Sequence, residues 1–194
     1  EVCAPGDFSN LVGPLSVTTG VAPCTSYPCD ISIGTGTLTS SNIPIRSCYG
    51  YNYTQIIYNQ VDINSQGFID TLRFFYTTGG TNYANWQDWT IYMGHTSKTD
   101  FNSTSDWIQL SDLNQVFSGI ITVSGTNQWV EIVLTSAFEY NNSDNLVIAI
   151  DENTPGYYCS VNWRVFTSST QRTINYFADG TNPNQASPPN ANFG

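Results

Sequence analysis

The chain has 194 residues, 14% aromatic and only 10% charged, and its five Lys+Arg against 15 Asp+Glu give a formal net charge of −10. That balance argues against nucleic-acid binding, which needs a cationic footprint, and against docking on anionic lipid. No apolar run approaches the ~20 residues that span a bilayer as a helix, so membrane insertion is not expected.

Residues 1–30 hold three of the five cysteines and four of the nine prolines. They read as an extended arm with one alternating piece, Leu15-Ser16-Val17-Thr18-Thr19-Gly20-Val21. Strand signals become regular from Ile31. The runs Ile31–Leu38, Tyr53–Tyr58, Phe68–Tyr76, Trp89–Thr96, Val116–Val123, Trp129–Leu134, Asn145–Asp151, Trp163–Thr167 and Arg172–Phe177 carry β-branched and aromatic residues. The clearest of them alternate: Trp89, Ile91 and Met93 point one way, Thr90, Tyr92 and Gly94 the other, as in a half-buried strand. Gly/Asn-rich turns separate the runs, and no stretch reads as a helix of three turns. The loop Ser97–Asn114 carries Phe101 and Trp107, whose rings are expected to fold back onto the core. Short strands at this spacing indicate an all-β fold, an antiparallel β-sandwich of jelly-roll type. The expected division is an arm at 1–30, a sandwich domain at 31–182 and an irregular Pro/Asn-rich tail at 183–194.

Cys3, Cys24, Cys29, Cys48 and Cys159, together with scarce Lys, suggest a secreted or cell-surface protein. Spacing does not determine connectivity. The expected bridges are Cys24–Cys29 and Cys48–Cys159, with Cys3 left over; the alternative pairs Cys3 with Cys24 or Cys29 and frees another thiol. Sequons at Asn52, Asn102 and Asn141 are candidate glycosylation positions, and Asp70-Thr71-Leu72 offers Thr71 as an O-linked one.

No catalytic constellation is evident. His95 is the only histidine; it lacks a second metal-ligating His or a nucleophile on an elbow, and reads as a turn cap. Asp151 with Glu152, or with Asp88, are the acid pairs that could serve glycosidic chemistry, but 15 acids make a chance pairing easy. Asp151, Glu152 and Asn153 are the candidate ligands of a structural calcium ion, since hard cations take carboxylate and amide oxygens. No other cofactor is expected. Tyr49, Tyr51, Tyr53, Tyr83 and Trp86 form a candidate sugar-stacking platform. Tyr157 and Tyr158 join it if Cys48 bridges to Cys159.

The order of short motifs resembles a known family. Ile33-Gly34-Thr35-Gly36-Thr37, Gln55-Ile56-Ile57-Tyr58, Gly67-Phe68-Ile69, Trp89-Thr90-Ile91-Tyr92-Met93-Gly94-His95-Thr96, Val116-Phe117-Ser118-Gly119, Phe138-Glu139-Tyr140 and Asn145-Leu146-Val147-Ile148 are similar to the β-sandwich module of secreted and surface proteins of Bacteroidota, often exported by type IX secretion. The resemblance spans roughly residues 31–182. It implies a non-enzymatic extracellular binding or adhesion module, with glycan or a cell-surface polymer as partner. Members of that family run on into a closing strand where this sequence reaches Phe193-Gly194. The alternative function is therefore a filament or array subunit that donates its strand at about residues 15–21 to another copy of itself.

Overall fold

The computed structural model describes residues 11–13, 15–19, 29–80 and 86–193. Among these residues thirteen strands build two antiparallel sheets packed face to face, a β-sandwich. The strands are β1 (Leu11–Val12), β2 (Leu15–Thr19), β3 (Cys29–Ile33), β4 (Leu38–Ser40), β5 (Tyr51–Tyr58), β6 (Gly67–Thr78), β7 (Trp89–Thr96), β8 (Asn114–Gly119), β9 (Gln128–Tyr140), β10 (Asn145–Glu152), β11 (Asn162–Thr167), β12 (Thr173–Ala178) and β13 (Asn192–Phe193). One short helix, α1 (Gln60–Ile63), follows β5. The six-stranded sheet runs β13-β12-β5-β10-β7-β8. The seven-stranded sheet is built on β6, which pairs β9 along one edge and shares the other between β2 and β11; β3 extends β2, while β1 and β4 pair β11. From β5 to β12 every connection except β7–β8 crosses between the sheets, the wrapping of a jelly roll.

Alternation fixes which side chains meet inside. Ile56, Tyr58, Trp89, Ile91, Met93, Leu146, Ile148, Ile150, Phe74, Tyr76, Trp163 and Val165 fill the space between the sheets. The opposite face of the six-stranded sheet is also covered, which is why β5 and β10 are buried along nearly their whole length. Tyr53, Ile57, Val147, Ala149 and Ile174 pack there against Phe101, Trp107 and Ile108. Gln55 holds this cover in register: its Nε2 donates to the Ile108 carbonyl (2.8 Å) and its Oε1 accepts from the Ile108 N–H (2.9 Å).

Three runs differ from the sequence reading. The Ile31–Leu38 run is two strands, because Gly34 has φ of +84° and a Cβ there would collide with the Phe166 ring. The Val116 run leaves its sheet after Gly119, and the Ile121 N–H then donates to the Trp86 carbonyl (2.8 Å). The tail, expected to be irregular, ends in the short β13 against β12.

Part of the stretch expected as an extended arm is built into a sheet. β2 lies inside the seven-stranded sheet, paired with β3 on one side and β6 on the other, and it buries Leu15 and Val17 in the core. Strand β2 is thus paired here within the chain's own sheet. Cys3 and Cys24 lie outside the described residues, and with them the Cys24–Cys29 pairing and the leftover Cys3.

Candidate functional site

One end of the sandwich gathers most of the candidate residues. β10 and β12 finish there, β5 and β11 begin there, and the loops 41–50 and 153–161 face each other. The Cys48–Cys159 disulfide joins these loops with a Cα–Cα distance of 4.3 Å, in agreement with the pairing read from the sequence. The Tyr158 N–H donates to the Ser47 carbonyl (2.7 Å), and the Gly50 N–H to Asp179 Oδ1 (3.1 Å). The loop backbones are therefore held at several points.

Two tyrosines stand out from this frame. Tyr157 and Tyr158 are 66% and 49% exposed, the one on the loop crest and the other beside the disulfide. Tyr51 is half-buried at the start of β5. Tyr49, also half-buried, packs on Phe177 with ring centroids 4.5 Å apart. The Arg46 guanidinium lies 4.9 Å from the Tyr49 centroid and 4.2 Å from that of Phe177. Arg46 and Phe177 were not singled out from the sequence. A local turn, in which the Tyr49 N–H donates to the Arg46 carbonyl (3.1 Å), brings Arg46 to Tyr49, whereas Phe177 reaches it only through long-range packing.

The other platform candidates are placed elsewhere. Tyr53 is fully buried on the far face of the six-stranded sheet, its ring 5.0 Å from that of Trp107, and burial pushes its phenol well above the usual range. Trp86 is 1% exposed and sits between the sheets among Tyr76 and Trp163, so its ring offers no face to a ligand. Tyr83 lies outside the described residues.

Asp151 and Glu152 end β10, and as consecutive strand residues they point to opposite faces. Asp151 faces the covered outer side, where its Oδ2 accepts from Gln185 Nε2 (2.8 Å); burial pushes its carboxyl up to about 6. Glu152 faces the interior beside Asn52 and Trp89, and its Oε1 accepts from the Thr154 N–H (2.8 Å). Burial pushes Glu152 up to about 9, with the Asp151 charge adding to the effect. Two carboxyls separated by the sheet cannot flank one scissile bond or close on one ion. The Asn153 Oδ1 is taken by Asn182 Nδ2 (2.7 Å). The calcium reading of Asp151, Glu152 and Asn153 is therefore corrected. Among the described residues no group of three or more His, Cys, Asp or Glu is placed to hold a metal.

The modification positions also divide. Asn52 is 1% exposed, and its Oδ1 accepts from the Arg46 N–H (2.8 Å), so the folded chain has no room for a glycan there. Thr71 is buried within β6 with its hydroxyl donated to Asp70 Oδ1 (3.0 Å). Asn102 and Asn141 are exposed in loops. His95 lies at the opposite end of the sandwich, where its Nε2 accepts from the Asn141 N–H (3.3 Å) and its ring packs 4.9 Å from Phe138. It pins the β9–β10 turn.

Comparison with protein-family models, with curated proteins and with solved structures returns no match.

Proposed function

We propose that this chain is a non-enzymatic extracellular binding module whose ligand is a glycan, held at the disulfide-tied end of the sandwich. The observation behind this reading is the pair Tyr157 and Tyr158, two adjacent exposed rings on a loop anchored by Cys48–Cys159 and by the Tyr158–Ser47 hydrogen bond. An aromatic ring offers a flat apolar face for a sugar ring, and a phenol adds a polar rim for its hydroxyls. Anchoring matters because a ring already fixed loses less conformational freedom when a ligand arrives. Arg46, stacked on Tyr49 and Phe177 in the 41–50 loop that the disulfide ties to the tyrosine loop, supplies donors at the same end. The disulfide fits an oxidising compartment, as does the resemblance to secreted Bacteroidota modules.

The test is a glycan array followed by affinity measurement with the Tyr157→Ala/Tyr158→Ala double variant. Binding by the parent, lost in the double variant while its melting temperature is unchanged, is the expected result. An array with no bound glycan, or a double variant that binds like the parent, would end this reading.

A further inference from the structure

The tyrosine loop leads directly into β11, and β11 carries the chain onto the outer face of the seven-stranded sheet. There a row crosses four strands: Thr39 of β4 lies opposite Arg164 of β11, which reaches Phe75 of β6, which is paired with Trp129 of β9. The Arg164 guanidinium sits 3.7 Å over the centre of the Phe75 ring, and Trp129 meets that ring edge-on at 5.3 Å. Trp129 is 40% exposed, although a tryptophan is among the costliest residues to leave in water.

This face carries two arginines with different partners. Arg73 is tied to both Glu131 (2.9 Å) and Asp30 (3.0 Å). Arg164 has no carboxylate or other hydrogen-bond acceptor among the described residues, in a chain with 15 acids to choose from. Half-buried over the ring, the guanidinium has donors that a ligand's oxygens can take. At the start of β11, where the tyrosine loop ends, lies a small polar depression of about 180 Å³ formed by the 39–42 segment and Asn162. From Tyr158 to Arg164 is six residues, at most roughly 20 Å along the chain. The row itself spans three strand spacings, about 14 Å.

We propose that the binding surface continues from the tyrosine loop across the Asn162 depression to Arg164, Phe75 and Trp129, so that the module grips an extended neutral polysaccharide along a track, not a single terminal sugar. This rests on the glycan reading above and adds a second contact and a length requirement to it. Trp129 supplies the stacking face, and the guanidinium fork bonds hydroxyl oxygens. The formal charge of −10 repels a polyanion at long range, which favours an uncharged chain despite the open arginine.

The experiment is native affinity electrophoresis of the full chain in gels containing hydroxyethylcellulose, xylan, galactomannan or, as the acidic counterpart, alginate. Trp129→Ala, Arg164→Lys and the Tyr157/Tyr158 double variant are run beside the parent, and the retarding polymer's own disaccharide is titrated separately. The expected result is retardation by a neutral polymer that weakens by about tenfold or more when either end of the track is altered, as loss of one of two linked contacts requires. The disaccharide, too short to span the track, should be insensitive to Trp129→Ala. Should Trp129→Ala not fold, Arg164→Lys carries the same comparison.

If Trp129→Ala and Arg164→Lys bind the polymer like the parent while the tyrosine variant does not, the track is wrong and the loop site stands alone. If only the sheet-face variants lose binding, the loop site is wrong and the continuous track falls with it. Retardation by alginate alone overturns the neutral-chain assignment. No retardation in any gel removes both readings.

Discussion

Glu152 is a carboxyl placed where an apolar side chain would otherwise sit, on the inner face of β10 between Asn52 and Trp89. Its Oε2, the Thr54 hydroxyl and the Asn175 Oδ1 are buried on the same face without a hydrogen-bond partner among the described residues. A bare carboxylate in such a place costs several kcal/mol, whereas the neutral acid keeps an O–H to offer to a neighbouring oxygen. Burial accordingly raises Glu152 from 4.5 to about 9, and Asp151 across the sheet from 3.8 to about 6. Both shifts are upward, so the folded chain retains protons that the unfolded chain has released. Stability is then greatest below the unfolded values and falls as pH rises toward the folded ones. Asp151 contributes its loss between about pH 4 and 6, and Glu152 between about pH 4.5 and 9. Each proton sets a slope of at most about 1.4 kcal/mol per pH unit. Calorimetry from pH 5 to 9 should show the melting temperature of the parent declining, and that of Glu152→Gln, which keeps the shape without the titration, declining much less. Parallel curves for the two proteins would mean that Glu152 is ionised in the fold.

Between elements, the tie that shapes the candidate site is covalent. Cys48 and Cys159 are 111 residues apart, and closing so long a loop restricts the unfolded chain. The loop-closure estimate is about 4–5 kcal/mol, and measured bridges give about 2–4 kcal/mol. Urea unfolding of the Cys48→Ser/Cys159→Ser variant should therefore show a loss of about 2–4 kcal/mol. The Tyr157–Tyr158 loop should gain hydrogen exchange before the sheets do. Equal stability of variant and parent would show that the bridge constrains nothing in solution. The sequence offered this pairing without deciding it, since spacing does not determine connectivity. The double cover of the six-stranded sheet was less legible still. Period-two alternation assigns Trp89, Ile91 and Met93 to one face, but it cannot tell that Tyr53 and Ile57 on the other face meet Trp107 and Phe101 from the 97–113 loop. That contact depends on a distant Gln55–Ile108 clasp. For the same reason Trp86 read as a surface ring. An aromatic residue in a loop has the same local signature whether it closes a core or faces water.

Across the whole molecule the main departure from the sequence reading is the placement of Leu15–Thr19. A Pro- and Cys-rich opening looks detachable, and its alternation alone cannot say which sheet a strand will join. The answer lies in long-range register, with Val17 opposite Ile31 on one side and Leu72 on the other. A strand bonded along both edges is internal to its sheet. Val12, Leu15 and Val17 are completely buried. Burying each such side chain is worth about 1.5–3 kcal/mol, so losing three removes roughly 5–9 kcal/mol. A domain of this kind has about 5–15 kcal/mol in total. Deleting residues 1–20 should therefore abolish cooperative unfolding and leave an aggregating chain, because β6 and β3 would each present an unpaired edge. A synthetic peptide of residues 11–20 should restore part of the melting transition by occupying the same slot. The 194-residue chain should sediment as a 21.4 kDa monomer if β2 stays paired within its own sheet. Concentration-dependent chains of the intact protein, together with a truncated form that melts like the parent, would instead require that β2 is exchanged between copies.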